Sequence, residues 1–282
     1  MSTATAPAPA PTRRRTPRQG PAKTWSDTLT LTRRNLRHMA REPFEPAIAL
    51  SMPVLMVLLF GYVFGGVMSP TGDEAEYRAM LVPAMIAMVM FYGIAGTATG
   101  VARDTSLAVM SRFRTLPMSP AALLWARVLT DMLRAVVEIA LLLGVGLLLG
   151  WRVESDPAGA LAAIALLLLF RLSLVCAGVL LGLVVPNPDA ASMLIYPLAF
   201  PMTVLSTSFV PAQAMPDWLA PVAEWNPVSS LVTAARELFG NPSLPSDAWP
   251  AEHAVLVAAV VPLLLMVVVV PLALRRFARL GR

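Results

Sequence analysis

Lysine is almost absent from this chain, in which Lys23 is the only one among 282 residues. A nucleotide-binding P-loop has the sequence Gly-x4-Gly-Lys-Ser/Thr, because its lysine neutralises the phosphates. Lys23 stands instead in Gly-Pro-Ala-Lys-Thr. We therefore expect no ATPase site and no bound cofactor in this polypeptide. If ATP drives the protein, a separate subunit hydrolyses it.

Cysteine and histidine are also scarce, with one cysteine, Cys176, and two histidines, His38 and His253. A single cysteine excludes an intramolecular disulfide and a cysteine-based metal cluster. Neither an HExxH motif nor a Ser/His/Asp spacing is present, so metalloprotease and hydrolase functions have no support. The sequence predicts neither catalytic residues nor metal ligands, and we expect a protein that is not an enzyme.

Charged residues make up only 14% of the chain and apolar residues 57%, whereas soluble domains carry about 25% charge. Such a composition favours a lipid bilayer as the solvent. The net charge of +5 does not point to nucleic acid, because the basic residues cluster beside the apolar runs. We predict an all-α membrane protein.

Six apolar runs are long enough to cross a bilayer, which requires about 20 residues. The predicted spans cover residues 47–67, 80–101, 125–149, 158–185, 190–211 and 253–274. Lys and Arg near spans mark the cytoplasmic side. With the N terminus inside, 18 of them fall in inner segments and 3 in outer loops. This ratio predicts that both termini are cytoplasmic.

Three regions follow from the same pattern. Residues 1–23 are predicted to form a disordered, basic, Pro/Ala-rich cytoplasmic tail with no secretory signal. Residues 24–45 are predicted to form an amphipathic interfacial helix, and residues 46–282 the six-span domain. In the outer connection between the fifth and sixth spans, Pro227–Phe239 has apolar residues at helical spacing. This spacing predicts a short helix, either re-entrant or interfacial.

Charged residues recur on one face of the third span, at Arg127, Asp131, Arg134 and Glu138, with alternating sign. Such residues can pair within the helix. Arg171 lies near the middle of the fourth span, where it needs a partner such as Glu138, a carbonyl or water. Two interpretations remain open for the third span: Arg127 and Asp131 lie at its aqueous base and only Glu138 is deep, or the four residues form a polar stripe that faces the inward vestibule or a neighbouring helix. Arg171 either forms a structural ion pair or lines a translocation path.

The segment from Val101 to Arg127 is a basic loop between two apolar runs, and Pro117 and Pro120 interrupt it. From the residues alone it is either an ordinary cytoplasmic loop or a rigid lever between two spans. The stretch SRFRTLPMSP, followed by LLWARVLTDMLR, resembles the cytoplasmic loop and third-span entry of ABC-2 type permeases, in their daunorubicin-resistance branch of drug exporters.

Three further stretches carry the same resemblance. EPFEPAIALSMPVLMVLLFGYVFGG is similar to the first span of that family, and Arg103–Asp104 to its charged turn after the second span. SFVPAQAMPDWLAPVAEWNPVSSLVTAARELFGNP resembles its outer segment, with the MP-x-WL, NP and AxRxL elements in order. Together the matching motifs extend over about residues 30–280.

The resemblance implies a multi-pass permease in the plasma membrane of a bacterium. It would pair with a second permease copy and with two copies of a separate ATP-binding subunit, which would hold ATP and Mg²⁺. The loop between the second and third spans would form a coupling helix that docks on the ATPase. The contact residues that the family pattern implies are Arg103, Asp104, Arg112, Phe113, Arg114, Leu116 and Pro117.

The function that these expectations favour is ATP-driven export of a hydrophobic or amphipathic compound by alternating access. An ABC-2 exporter of polysaccharide has the same architecture. Two other classes also fit: an ATP-independent carrier or channel that uses Glu138 and Arg171 as a relay, and a membrane scaffold that transports nothing.

Overall fold

The described part of the protein is built from helices. The computed structural model describes residues 21–41, 44–63, 65, 73–106 and 120–280. The α-helices are α1 (Pro21–Arg41), α2 (Phe44–Leu58), α3 (Glu74–Ser106), α4 (Pro120–Leu148), α5 (Pro157–Val184), α6 (Pro188–Val204), α7 (Ala220–Glu224), α8 (Pro227–Phe239), α9 (Trp249–Glu252) and α10 (Ala254–Leu280). A π-helical turn, Leu59–Val63, continues α2, and a 3₁₀ turn covers Ala212–Ala214.

Local sequence signals set where several helices begin and end. Asp156, Asn187 and Asn226 each precede a proline and cap α5, α6 and α8, accepting backbone N–H bonds of 2.8–2.9 Å. A side-chain acceptor followed by proline is a favoured helix start. Gly240 ends α8 in the left-handed region at φ 75°, where glycine has no steric penalty. The helix predicted over Pro227–Phe239 is thus present with those bounds.

α3 and α5 form the centre of the bundle, and two glycines of α5 allow their close approach. A Cβ atom at Gly178 would lie 2.9 Å from the Cβ of Thr97, and one at Gly182 would lie 2.6 Å from the carbonyl oxygen of Ala98. Gly178 and Gly182 are four residues apart, so both lie on one face of α5. Small residues at this spacing let helix backbones pack closely in membranes.

One end of the bundle, here named the loop end, collects the basic segments. It contains the end of α3, the start of α4, the end of α5 and the end of α10, where Arg276 donates a 3.2 Å bond to the carbonyl of Leu183. α1 packs against the start of α4 through Leu31, Ala122 and Ala126. α1 is thus docked on the bundle, and its Trp25 and Leu29 remain exposed.

The opposite end, here named the far end, is closed by α8 and its flanking segments. The backbone N–H groups of Glu154 and Ser155 donate to the Phe239 carbonyl at 2.9 and 3.1 Å. Trp151 packs edge-to-face on Phe239 and donates to Asn241 at 3.0 Å. Most of α8 is buried among α3, α5 and α10, so this helix is a packed element of the far end.

Three of the described helices, α3, α5 and α10, are long and apolar enough to cross a membrane. α4 has a comparable length but carries four charged side chains, and α6 is 17 residues long. Large apolar side chains are exposed on α6, among them Met193, Tyr196 and Phe200. The structure therefore establishes an apolar, helical protein with three strong candidate spans.

The contact between α3 and α5 leads to a test of packing. Gly182→Ala is expected to lower the thermal stability of the detergent-solubilised protein, because the new methyl group would meet the Ala98 carbonyl and Val101 Cβ, each 2.6 Å away. Overpacking of this kind costs about 1–3 kcal/mol, which exceeds the helix-propensity gain of about 1 kcal/mol.

Gly144→Ala is the matched control, because a Cβ atom at Gly144 in α4 would meet no atom within 4 Å. This substitution should leave the melting temperature unchanged or raise it. Fluorescence-detected size exclusion after heating measures the melting temperature of each variant and shows whether it falls or rises. Equal shifts for both variants would show that α3 and α5 are not in close contact at Gly182.

Candidate functional site

Four charged side chains of α4, here named the polar ladder, form two ion pairs along one helix face. The guanidinium Nε of Arg127 lies 3.3 Å from Oδ2 of Asp131, and Nε of Arg134 lies 2.8 Å from Oε1 of Glu138. Both pairs have the i, i+4 spacing that brings side chains together on a helix. The ladder begins about two turns after Pro120, the first residue of α4.

The Arg127–Asp131 pair is hydrogen-bonded to α3. Asp131, which is only 6% exposed, accepts a 2.7 Å hydrogen bond from Oγ1 of Thr97. Arg127 donates through Nη2 to the Gly96 carbonyl at 2.6 Å. A buried carboxylate that has both a charge partner and a hydroxyl donor is well compensated. These contacts fix the register of α4 against α3 near the loop end.

The Arg134–Glu138 pair contacts Arg171 of α5, which in turn contacts α3. Arg171 of α5 is 2% exposed, and its Nη2 lies 3.7 Å from Oε2 of the buried Glu138. Its Nη1 donates to the carbonyls of Val89 and Met90, each at 3.3 Å. The two kinds of partner expected for Arg171, a carboxylate and a backbone carbonyl, are thus both present. One side chain links three helices.

Two glycines of α3 provide the space that the arginines occupy. A Cβ atom at Gly93 would overlap the guanidinium of Arg171, and one at Gly100 would overlap that of Arg127. Sequence reasoning missed both glycines. A signal was present, because Gly93 and Gly100 are seven residues apart and therefore share a helix face. The arginines lie where this face has no side chains.

The predicted coupling residues divide between described and undescribed positions. Arg103 is exposed and Asp104 partly buried at the end of α3, and Asp104 lies within electrostatic reach of Arg127 and Arg34. The loop end thus connects α1, α3 and the first residue of the polar ladder. The remaining predicted coupling residues lie outside the described residues; they are Arg112, Phe113, Arg114, Leu116 and Pro117.

Arg236 of α8 is a buried cation. It is one of the three basic residues that the sequence places in outer loops, and no role was predicted for it. It is 2% exposed and donates through Nε and Nη2 to the Met80 carbonyl at 3.0 and 2.9 Å, and through Nη2 to the Ser208 carbonyl at 2.6 Å. Burial lowers the pKa of Arg236 to about 10, so the guanidinium remains protonated at neutral pH. The sequence signal for its burial is its position four residues after Val232, which places both side chains on one face of α8.

The charged side chains of this site contact one another and the backbone of neighbouring helices. In the described part of the chain, no three His, Cys, Asp or Glu side chains converge on a metal-sized site. The polar ladder joins the helix that follows the 107–119 loop to the two central helices. Arg127 and Arg134 also remain partly accessible, with side chains 25% and 21% exposed.

Comparisons with known proteins agree with this architecture. The chain is 31% identical, over 76% of its length and 75% of the relative's, to the daunorubicin resistance ABC transporter permease protein DrrB1 of Streptomyces coeruleorubidus. It is 25% identical, over 78% of its length and 79% of the relative's, to the probable doxorubicin resistance ABC transporter permease protein DrrC of Mycobacterium tuberculosis. A more distant relative is the probable multidrug ABC transporter permease YbhR of Escherichia coli, 22% identical over 58% of this chain and 44% of its own length.

The model of a whole family also matches most of the chain. The model of the ABC-2 type transporter family matches residues 26–239, which include most of α1, the polar ladder, Arg171 and all of α8. The resemblance expected from the loop and the outer segment is therefore confirmed. This chain belongs to the ABC-2 type transporter family and is similar to its drug-resistance permeases.

Proposed function

We propose that this chain is the membrane-spanning subunit of an ATP-driven exporter and that the polar ladder transmits force from the 107–119 loop into the bundle. The observation that carries the proposal is the linkage of α4 to its neighbours. Arg127 and Asp131 are hydrogen-bonded to α3, and Glu138 is ion-paired to Arg171 of α5. α4 directly follows the loop, so a push on the loop acts on a helix that is hydrogen-bonded to α3 and ion-paired to α5.

The topology that we propose has six spans, with α2, α3, α4, α5, α6 and α10 crossing the bilayer and the loop end facing the cytoplasm. The loop end contains α1 with its arginines, Arg103, Arg127 and the basic end of α10. Positive residues are retained on the cytoplasmic side. Both chain termini would then be cytoplasmic, and α8 would close the outer side.

ATP and Mg²⁺ would be bound by a separate ATPase, present in two copies beside two permease copies. The absence of a P-loop lysine from the sequence supports this division of labour. Arg103, Asp104, Arg112, Phe113 and Arg114, with Leu116 and Pro117, would contact the ATPase. Arginine donates charge-assisted hydrogen bonds to carboxylates, and a phenylalanine supplies a packed anchor.

The transported compound would be hydrophobic or amphipathic, and it would leave through the plasma membrane of a bacterium by alternating access. The relatives are named for resistance to daunorubicin and doxorubicin, which supports a cargo of this class. Few charges line the proposed spans outside the polar ladder and Arg171, so the bundle offers mainly apolar surface.

Reversing charge in the loop tests the docking. In cells that also produce the partner ATPase, Arg112→Glu/Arg114→Glu is expected to lower ATP-dependent efflux of a fluorescent amphipathic dye at least tenfold. The permease level should not change, and co-purification of the ATPase should be reduced. The reason is that carboxylates would repel the acidic groove that we expect on the ATPase.

Arg33→Glu/Arg37→Glu is the matched control, because it makes the same charge change on exposed positions of α1. Efflux in this control should stay near the unmodified level. Unchanged efflux in the loop variant would contradict docking through these residues. Gradient-driven transport without an ATPase, abolished by Glu138→Gln, would instead favour an ATP-independent carrier.

A further inference from the structure

The end of the first apolar helix has an unusual backbone. After Leu58, α2 continues as the π-helical turn Leu59–Val63. In such a turn each N–H group bonds to the carbonyl five residues earlier, so the turn holds one residue more than the α-helical turn that could replace it. Turns of this kind are rare inside α-helices and are frequent at functional sites. The polar ladder lies on other helices, so this turn needs an explanation of its own.

Arg78 of α3 holds the π-helical turn from one side. Its Nη1 donates to the carbonyl oxygen of Gly61 at 3.3 Å and to Oε2 of Glu74 at 3.2 Å. The carbon of its guanidinium lies 5.0 Å from the centre of the Tyr62 ring, within the range of a cation–π contact. A Cβ atom at Gly61 would lie only 3.2 Å from Cγ of Arg78. The missing side chain of Gly61 therefore allows the two helices to approach here.

Tyr62 holds the turn from another side. Its hydroxyl donates to the carbonyl of Leu149 at 3.3 Å, one residue after the end of α4 at Leu148. The turn is thus connected both to α3 and to the far end of the helix that carries the polar ladder. Tyr62 and Val63 are nevertheless 48% and 64% exposed, so packing against neighbouring helices does not prevent them from rotating.

The contacts that hold the turn are weaker than those around the buried Arg236. The side chain of Arg78 is 16% exposed, and its Nε is buried without an acceptor in the described part of the chain. Arg236 is 2% exposed and its hydrogen bonds are 2.6–3.0 Å long. Because hydrogen bonds weaken with distance, the contacts of Arg78 are the easier ones to break while the far end stays folded.

We propose that Leu59–Val63 is a two-state switch, which Arg78 and Tyr62 hold in its π-helical form. When these contacts are lost, the turn becomes α-helical. Each residue of an α-helix advances the chain by about 100° around the axis, so the release of one extra residue would rotate Tyr62 and Val63 by about this angle. That motion of α4 triggers the switch through Leu149 rests on the proposed function. The existence of the two forms does not.

Distances between spin labels measure this rotation in the purified full-length permease, without an ATPase. Cys176→Ala removes the only cysteine, and Val63→Cys then carries the first label. The second label is placed at an exposed position, either by Leu161→Cys in α5 or by Val222→Cys in α7. A rotation of about 100° moves a side chain at a radius of about 5 Å by about 8 Å.

Arg78→Met is expected to shift at least one of the two label distances by several ångströms, because it removes both the carbonyl contact and the cation–π contact. Tyr62→Phe removes only the hydrogen bond to Leu149, and it should produce a mixture of the two distances. Arg152→Met is the matched control. It removes the same charge from the far end, where Arg152 donates to the carbonyls of Leu147 and Trp151, and it should leave both label distances unchanged.

Deletion of Leu59 tests the extra residue itself. The deletion makes the turn α-helical without rotating the chain beyond it, so the shortened protein should fold with an unchanged melting temperature. In this protein Arg78→Met should no longer shift the label distances. A shift of the same size with and without Leu59 would overturn the switch, and so would unchanged distances in Arg78→Met when Leu59 is present. A shortened protein that does not fold would contradict the extra residue. None of these outcomes depends on export.

Discussion

Arg171→Met is expected to be among the most destabilising single substitutions in this protein. The change removes the carbonyl contacts of Arg171 to α3 and leaves Glu138, which is 5% exposed, without one of its two cationic neighbours. Removing one partner of a buried ion pair costs about 3–5 kcal/mol. We expect a large fall in the melting temperature of the solubilised permease and a low yield from membranes.

A compensating substitution separates charge from packing. Glu138→Met/Arg171→Met removes both buried charges and should recover most of the lost stability, because apolar replacements of a buried pair are often tolerated. Arg275→Met, at an exposed position of α10, should have little effect. A double variant as unstable as Arg171→Met would show that Arg171 acts through its carbonyl bonds and not through Glu138.

The pairing pattern of α4 is a part of the site that the sequence predicted well. The spacing of Arg127, Asp131, Arg134 and Glu138 defines one helix face whatever surrounds it, so the two ion pairs followed from local geometry. The need of Arg171 for a partner followed from the cost of a buried charge. These predictions depend on helix periodicity and on desolvation, which are readable from sequence.

The space for the arginines was not predictable in the same way. Gly93 and Gly100 gain their role only because α3 lies directly against α4 and α5, and that arrangement is a property of the folded bundle. Likewise Gly178 and Gly182 mark a contact face without naming the helix that packs on it. The sequence contained the small residues, but their partners depend on long-range packing.

The number of spans is the part of the fold on which sequence and structure differ: the sequence predicts six, and the structure contains three strong candidates. Each of the six predicted segments contains a described helix, but only α3, α5 and α10 combine sufficient length with low charge. α4 carries its charges on a face turned toward α3 and α5, so a count of charged residues penalises a helix whose charges are largely paired. The proposal that α4 crosses the bilayer rests on this distinction between total charge and paired charge.

The far end depends on a single buried arginine to an unusual degree. The guanidinium of Arg236 connects three separate segments, because it is part of α8 and donates to the carbonyls of Met80 in α3 and Ser208 after α6. Hydrogen bonds from a charged donor contribute about 1.5–3 kcal/mol each. The loss of this side chain leaves both carbonyls without their cationic donor in a buried setting.

Arg236→Leu is therefore expected to open the far end locally while the pairing of α3 with α5 remains. The free energy of opening for α8 should fall by about 3 kcal/mol, so that amide hydrogens across residues 227–239 exchange roughly a hundredfold faster. Hydrogen exchange followed by mass spectrometry on the solubilised protein measures this directly. Arg152→Leu, at an exposed position of the same end, serves as the control and should leave exchange in α8 unchanged. Uniformly faster exchange in α3 and α5 would show that Arg236 supports the whole bundle, and unchanged exchange in α8 would show that its apolar face alone holds it in place.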